Sequence, residues 1–103
     1  MSTIRVRTRL KEGVTTVRAI IRHPMETGFR VDQETQEVVP AHYIKLVTVK
    51  HNGETVLSCD WSRAVSKNPY LSFEFTGAIA GDKLELAWLD TEGETDYAET
   101  IIE

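Results

Sequence analysis

The sequence predicts an all-β protein, an antiparallel immunoglobulin-like β-sandwich of about seven strands forming one domain over residues 1–103. Three observations lead there. Apolar and polar residues alternate with period two in successive short runs, turn residues break those runs about every 8–12 residues, and no segment carries a convincing helical period. The paired cysteines of antibody domains are absent, because the chain has only Cys59.

Taken in order, Thr3 to Leu10 sets Ile4, Val6 and Leu10 against Arg5, Arg7 and Arg9, a strand with one wet or partner-facing side. Lys11-Glu12-Gly13 turns the chain into Val14 to Arg22, which is apolar on both faces through Val17, Ala19 and Ile21 against Ile20 and so belongs inside its sheet. His23-Pro24 stops this strand, since proline removes a ladder donor and pushes the residue before it to extended geometry. Met25 to His42 is the longest stretch without a clear strand, and Gln33-Glu34-Thr35-Gln36 closes a small hairpin of 29–31 with 38–39. Loops this long in compact domains tend to be functional or disordered.

Tyr43 to Trp61 is a β-hairpin turning at Asn52-Gly53, two residues that tolerate the positive φ a type I′ turn needs. A two-residue loop pairs His51 with Glu54, Thr48 with Leu57, Leu46 with Cys59 and Ile44 with Trp61, and Leu57, Cys59 and Trp61 make this the core face. The opposite face carries Val47, Val49, Val56 and Ser58, with Lys45 across from Asp60. It is too apolar to face water and calls for a cover, from this chain or another; a slip of one residue would exchange the two faces. Beyond a polar loop at 62–69, Leu71, Phe73 and Phe75 alternate with Ser72 and Glu74. Leu84, Leu86 and Trp88 alternate with Lys83, Glu85 and Ala87, and a last strand runs from Thr95 to Ile102. Trp61 and Trp88 are expected as core anchors.

One domain of this size buries roughly two-thirds of its unfolded surface, enough for a single core. No apolar run approaches the ~20 residues of a membrane span, and Met1-Ser2-Thr3 leads straight into a strand without a signal-peptide core, which by itself predicts a cytoplasmic protein. The net charge of −4 is unevenly spread. Arg5, Arg7, Arg9, Lys11, Arg18, Arg22 and Arg30 face only Glu12 and Glu26 in the first thirty residues, whereas Glu85, Asp90, Glu92, Glu94, Asp96, Glu99 and Glu103 have no base among them after residue 83. Such a split either steers a partner or neutralises itself across neighbouring strands. Nucleic acid is not an expected partner, because the domain is acidic and no aromatic residue interleaves the arginines.

Little in the sequence promises catalysis. His23 beside Met25 raises a copper site of imidazole and thioether, with His42 as a further ligand, but His51 sits at the turn and so at most two histidines converge. The four-histidine, one-cysteine iron centre of immunoglobulin-like superoxide reductases is excluded by counting. Cys59 is expected to point inward as a small hydrophobe, and Asp60 beside it points the other way. No Ser-His-Asp order, glycine-rich phosphate loop or convincing carboxylate pair is present, so the expectation is no enzyme, no cofactor and no metal. Two loops stand out, 23–28 and 66–70, and strand counting lets them share one pole.

Those loops carry a resemblance. Arg22-His23-Pro24-Met25-Glu26-Thr27-Gly28, Pro40-Ala41-His42-Tyr43-Ile44, the hairpin with His51-Asn52-Gly53, Ser66-Lys67-Asn68-Pro69-Tyr70, and Gly81-Asp82 through Trp88-Leu89-Asp90 together resemble the SoxZ family over nearly the whole length. The resemblance implies the non-catalytic half of a SoxYZ heterodimer. In that family SoxY bears a flexible C-terminal arm whose cysteine carries covalent sulfur intermediates between the Sox enzymes that oxidise thiosulfate. This chain ends Glu99-Thr100-Ile101-Ile102-Glu103 without such an arm, which fits the Z subunit. It also implies a periplasmic location, reached as a passenger of SoxY. The partner-binding residues expected on this basis are His23, Pro24, Met25, Glu26 and Gly28, then Ser66, Lys67, Asn68, Pro69 and Tyr70 beside the carrier arm, with Val47, Val49 and Val56 and the arginine side of Thr3 to Leu10 under the partner. Cys59 is a candidate for an intermolecular disulfide with SoxY. The alternatives are a periplasmic copper- or sulfite-handling module using His23, Met25 and His42, and a homodimeric scaffold.

Overall fold

Each alternating run of the sequence is a strand in the structure, a computed structural model that describes residues 3–103. Met1 and Ser2, where the expected absence of a leader begins, lie outside the described residues. The strands are β1 (Ile4–Lys11), β2 (Val14–Ile21), β3 (Ile44–His51), β4 (Glu54–Asp60), β5 (Tyr70–Thr76), β6 (Lys83–Asp90) and β7 (Thr95–Ile101). They form two antiparallel sheets, ordered β1-β2-β5 and β4-β3-β6-β7, consistent with an immunoglobulin-like sandwich. β2 is central in its sheet, as expected, but only its inner face is buried throughout; the outer face carries the exposed Arg18 and Ile20.

Period-two alternation decides which side chains meet between the sheets. Val17, Ala19 and Ile21 from β2 face Val47 and Val49 from β3 and Leu84, Leu86 and Trp88 from β6, all buried, with Phe73 and Phe75 packed against them. Directed bonds join β1 to the end of the chain from the other sheet: the Leu10 amide donates to the Glu103 carbonyl at 2.7 Å, and the Thr3 hydroxyl donates to Asp96 Oδ2 at 2.6 Å.

The central hairpin departs from its expected register. Asn52 and Gly53 have φ of +48° and +87°, as a type I′ turn demands, and His51 pairs with Glu54. Beyond Lys50–Thr55 the register shifts, leaving Val56 without an opposite number, and Val49 then pairs with Leu57, Val47 with Cys59 and Leu46 with Asp60. The bulge has a clear physical benefit: it lets β3 contribute Val47 and Val49 to the same face as Leu57 and Cys59 while keeping the two-residue Asn52-Gly53 turn, a combination that the unbroken register of that turn does not allow. Val47 and Val49 are therefore core residues, fully buried by this chain's own strands. The expectation that they face a partner is corrected. Val56, half-buried at the bulge, also packs against the core. A second irregularity, between Ile44 and Leu46 against β6, explains how Ile44 and Val47 can both point inward although three residues apart.

Residues 22–43 form an arm. Bridges Glu26–His42 and Val31–Val38 hold its two limbs together, close to the small hairpin expected there. The molecule measures 53 × 24 × 21 Å, with a radius of gyration of 15.7 Å. A compact domain of this length would have about 13 Å. Much of the arm is exposed, Phe29 by 74% and Val38 by 58%.

Candidate functional site

Alternation carries polar residues into one pole of the core. On β6 the inward series Leu84, Leu86, Trp88 ends in Asp90, which is fully buried, and past β2 the same parity that buries Ile21 buries His23. His42 arrives through the Glu26–His42 bridge at the base of the arm. Asp90 Oδ2 accepts from His23 Nε2 at 3.0 Å and from His42 Nε2 at 2.7 Å. Asp90 Oδ1 accepts from the amides of Glu92 and Glu94, each at 2.9 Å, in the turn that joins β6 to β7. Burial pushes the Asp90 carboxyl up, but the bonds from His23, His42 and the amides of Glu94 and Glu92 outweigh it and hold it below the ordinary carboxylate value.

The tautomer of His23 follows from its other neighbour. The Met25 amide donates to His23 Nδ1 at 3.0 Å, so Nδ1 is an acceptor and the ring proton sits on Nε2, directed at Asp90. This short contact is made by a Met25 backbone at φ +49°, a left-handed conformation that a long side chain seldom adopts. The Met25 sulfur in turn accepts the Ile44 amide at 3.3 Å. His23 and His42 do meet, with ring centroids 4.7 Å apart, and Trp88 stacks edge-on against His23 at 5.1 Å. The carboxylate of Asp90 joins the two imidazoles in this cluster, while the Met25 sulfur of the expected copper set is engaged by the Ile44 amide. His51 lies elsewhere, bonded to Asp82 at 2.7 Å.

The second loop shares this pole. His23 and Asn68 bond reciprocally, His23 amide to Asn68 Oδ1 and Asn68 amide to His23 carbonyl, both at 3.0 Å, and the Ile21 amide donates to the Pro69 carbonyl at 3.0 Å. Of the residues expected to meet a partner here, Pro24, Ser66, Lys67, Asn68 and Tyr70 are exposed, whereas His23, Met25 and Pro69 are buried and shape the loops. Glu26 is held by Arg30, whose side-chain bonds of 3.0 Å keep the Glu26 carboxyl below its ordinary value. Gly28 has φ +91° and runs so close to Ala41 that an added Cβ would lie 3.1 Å from the alanine Cβ. Cys59 is half-buried on β4, an edge strand, and packs against the core.

The outward faces of the two sheets differ in chemistry. On the three-stranded sheet Arg5, Arg7, Arg9, Lys11 and Arg18 stand in the open, and Arg7 lies directly across from Arg18. On the four-stranded sheet Leu46, Thr48, Ala87, Leu89, Thr95 and Tyr97, with Trp88 and Asp96, line a shallow, mostly apolar depression. That depression is the hairpin's second face once the bulge has exchanged the parity of β3.

No curated protein sequence matches the chain. A family model does, Sulphur oxidation protein SoxZ, over residues 4–100, nearly the whole length. The chain therefore belongs to the SoxZ family of sulphur oxidation proteins.

Proposed function

We propose that this chain is the non-catalytic subunit of a heterodimeric carrier, paired with a SoxY-like subunit whose C-terminal cysteine arm holds sulfur intermediates during thiosulfate oxidation. The observation that carries the pairing is the outward face of the four-stranded sheet. Leu46, Ala87, Leu89 and Tyr97 put apolar surface on three adjacent strands, β3, β6 and β7, and the one charged residue in the lining, Asp96, is taken up by the Thr3 amide and hydroxyl. A charge-depleted centre with a polar rim is the composition of a lasting protein interface. Here the rim is Asp60, Glu85 and Glu99.

Size sharpens the reading. Four strands about 4.8 Å apart and about 24 Å long present roughly 450 Å², short of the ~800 Å² that each partner gives to a standard interface. The arm, with Phe29, Val31 and Val38 exposed, is assigned the remainder. The loops at the His23 pole then border the partner's carrier arm, through which the complex meets the Sox enzymes. The complex works in the periplasm, this chain travelling there with its partner.

Co-expression with the SoxY-like protein encoded beside it, followed by native mass measurement, tests the reading. A one-to-one complex that Leu46→Asp or Ala87→Asp dissociates supports it. A chain that stays monomeric, or forms only a homodimer, in the partner's presence refutes it.

A further inference from the structure

Three carboxylates converge on one imidazole nitrogen at the pole. His42 Nε2 lies 2.7 Å from Asp90 Oδ2, 3.4 Å from Glu92 Oε2 and 3.7 Å from Glu94 Oε2. Among the described residues no lysine or arginine pairs with any of the three acids. Adjacent carboxylates repel, and this group is anchored on a buried Asp90, where the repulsion is poorly screened.

The arrangement differs from an ordinary acidic turn in two respects. A ring nitrogen stands at its centre, and the buried acid is already aimed. Asp90 Oδ1 is held by the Glu92 and Glu94 amides and Oδ2 by His23 Nε2–H, so the carboxylate cannot rotate away. His23 itself cannot be a ligand through Nε2: a neutral imidazole has one N–H, and the Met25 amide pointing at Nδ1 forces that hydrogen onto Nε2. It serves instead as the outer donor that orients a coordinating carboxylate. His42 has no such restriction, because among the described residues no bond to its Nδ1 opposes a shift of the ring proton there, which frees the Nε2 lone pair.

We propose that His42 Nε2, Asp90 Oδ2, Glu92 and Glu94 form a binding site for a divalent first-row metal ion, with His23 as a positioning residue. With zinc–ligand bonds of about 2.0–2.1 Å, a tetrahedral shell has ligand–ligand edges of about 3.3–3.4 Å. The three separations from His42 Nε2 straddle that value. Glu92 and Glu94, 50% and 64% exposed, are free to turn toward the ion. The donor set is nitrogen and oxygen without sulfur, which suits zinc or manganese and disfavours copper(I). This inference does not depend on the carrier reading, since it concerns only the chain's own residues.

The test is zinc binding by the untagged full chain, measured by competition with a chromophoric chelator, with nitrogen-edited histidine spectra recorded before and after. One ion per chain is expected, with affinity lowered about tenfold or more by Glu92→Gln/Glu94→Gln and by His42→Ala. His51→Ala, at a different cluster, should leave it unchanged. Both glutamates are exposed turn residues, so the double variant keeps the fold. On zinc addition His42 should lose its Nε2–H signal while His23 keeps its own. Absence of binding at sub-millimolar zinc, affinity unaltered in the double variant, or loss of the His23 Nε2–H would each overturn the assignment.

Discussion

Asp90→Asn is the sharpest test of how the pole is built. Asp90 receives four donors, two on each oxygen, with no exposure to water. Asparagine offers one carbonyl oxygen and an NH₂, so one pair of donors must face another donor. If the carbonyl stays on the turn amides, the NH₂ meets His23 Nε2–H and His42 Nε2. His42 can shift its proton and accept; His23 cannot, because the Met25 amide holds Nδ1 as an acceptor. At least one buried donor is then orphaned and two charge-assisted bonds are lost, a cost of about 3–5 kcal/mol. A domain of this size has about 5–15 kcal/mol in total. At roughly 4–8 °C per kcal/mol, even the lower figure moves the thermal midpoint down by about 12–24 °C. Urea titrations and melts of Asp90→Asn and wild type, both in chelator to exclude metal, measure this directly. A loss below about 1 kcal/mol would mean that His23 is not locked in one tautomer, and the account of the pole would fail.

Two further outcomes follow from the fold. Val47→Ala removes two methyl-sized groups from a fully buried site and should cost about 2 kcal/mol in urea denaturation without weakening partner binding, the opposite of Leu46→Asp next to it; selective loss of binding in Val47→Ala would restore the uncorrected register. Acid should also destabilise the chain through Asp82 and Asp96. The Ile79 amide and His51 hold the Asp82 carboxyl below its ordinary value. Burial pushes the Asp96 carboxyl up, but bonds from the Thr3 hydroxyl and amide and the Tyr97 amide outweigh this and hold it low. A carboxyl depressed in the folded state binds protons more readily when unfolded, so its contribution is complete above the unfolded value near about pH 4 and drains away as pH falls through the lower folded value. Urea midpoints for wild type and Asp96→Asn should therefore converge below about pH 4, and a constant difference across that range would contradict the assignment.

The strands were legible because alternation and turn residues are local signals. The register of the hairpin was not. Bulges at Val56 and near Lys45 leave no mark in a period-two count, yet each one flips the parity of everything beyond it. That single error assigned Val47 and Val49 to the surface and hid Leu46 as an outward residue of the apolar face. Asp90 had a signal that could have been followed: Leu84, Leu86 and Trp88 set a core parity that Asp90 continues, and a carboxylate on a core face needs donors. The convergence of His23 with His42 was bounded correctly by topology, but the Met25 amide that fixes the His23 tautomer depends on a left-handed backbone at a residue where sequence gives no reason to expect one.

The hydrogen bonds at the pole also decide what this end of the sandwich can do. Between the sheets, apolar packing is non-directional and tolerates small slides. At the pole one carboxylate ties the end of β2 through His23, the start of β3 through His42 and the β6–β7 turn through two amides, while Asn68 clamps the neighbouring loop to the His23 backbone. Four segments from both sheets thus share one fixed point. Any partner segment running past Pro24, Ser66 or Lys67 meets a surface whose shape is set from beneath, so recognition there would not require the loops to reorder on contact. It follows that variants beneath the surface, His23 and Asp90 above all, should disturb recognition without touching the partner, whereas Lys67→Ala should alter it only through the contact it removes.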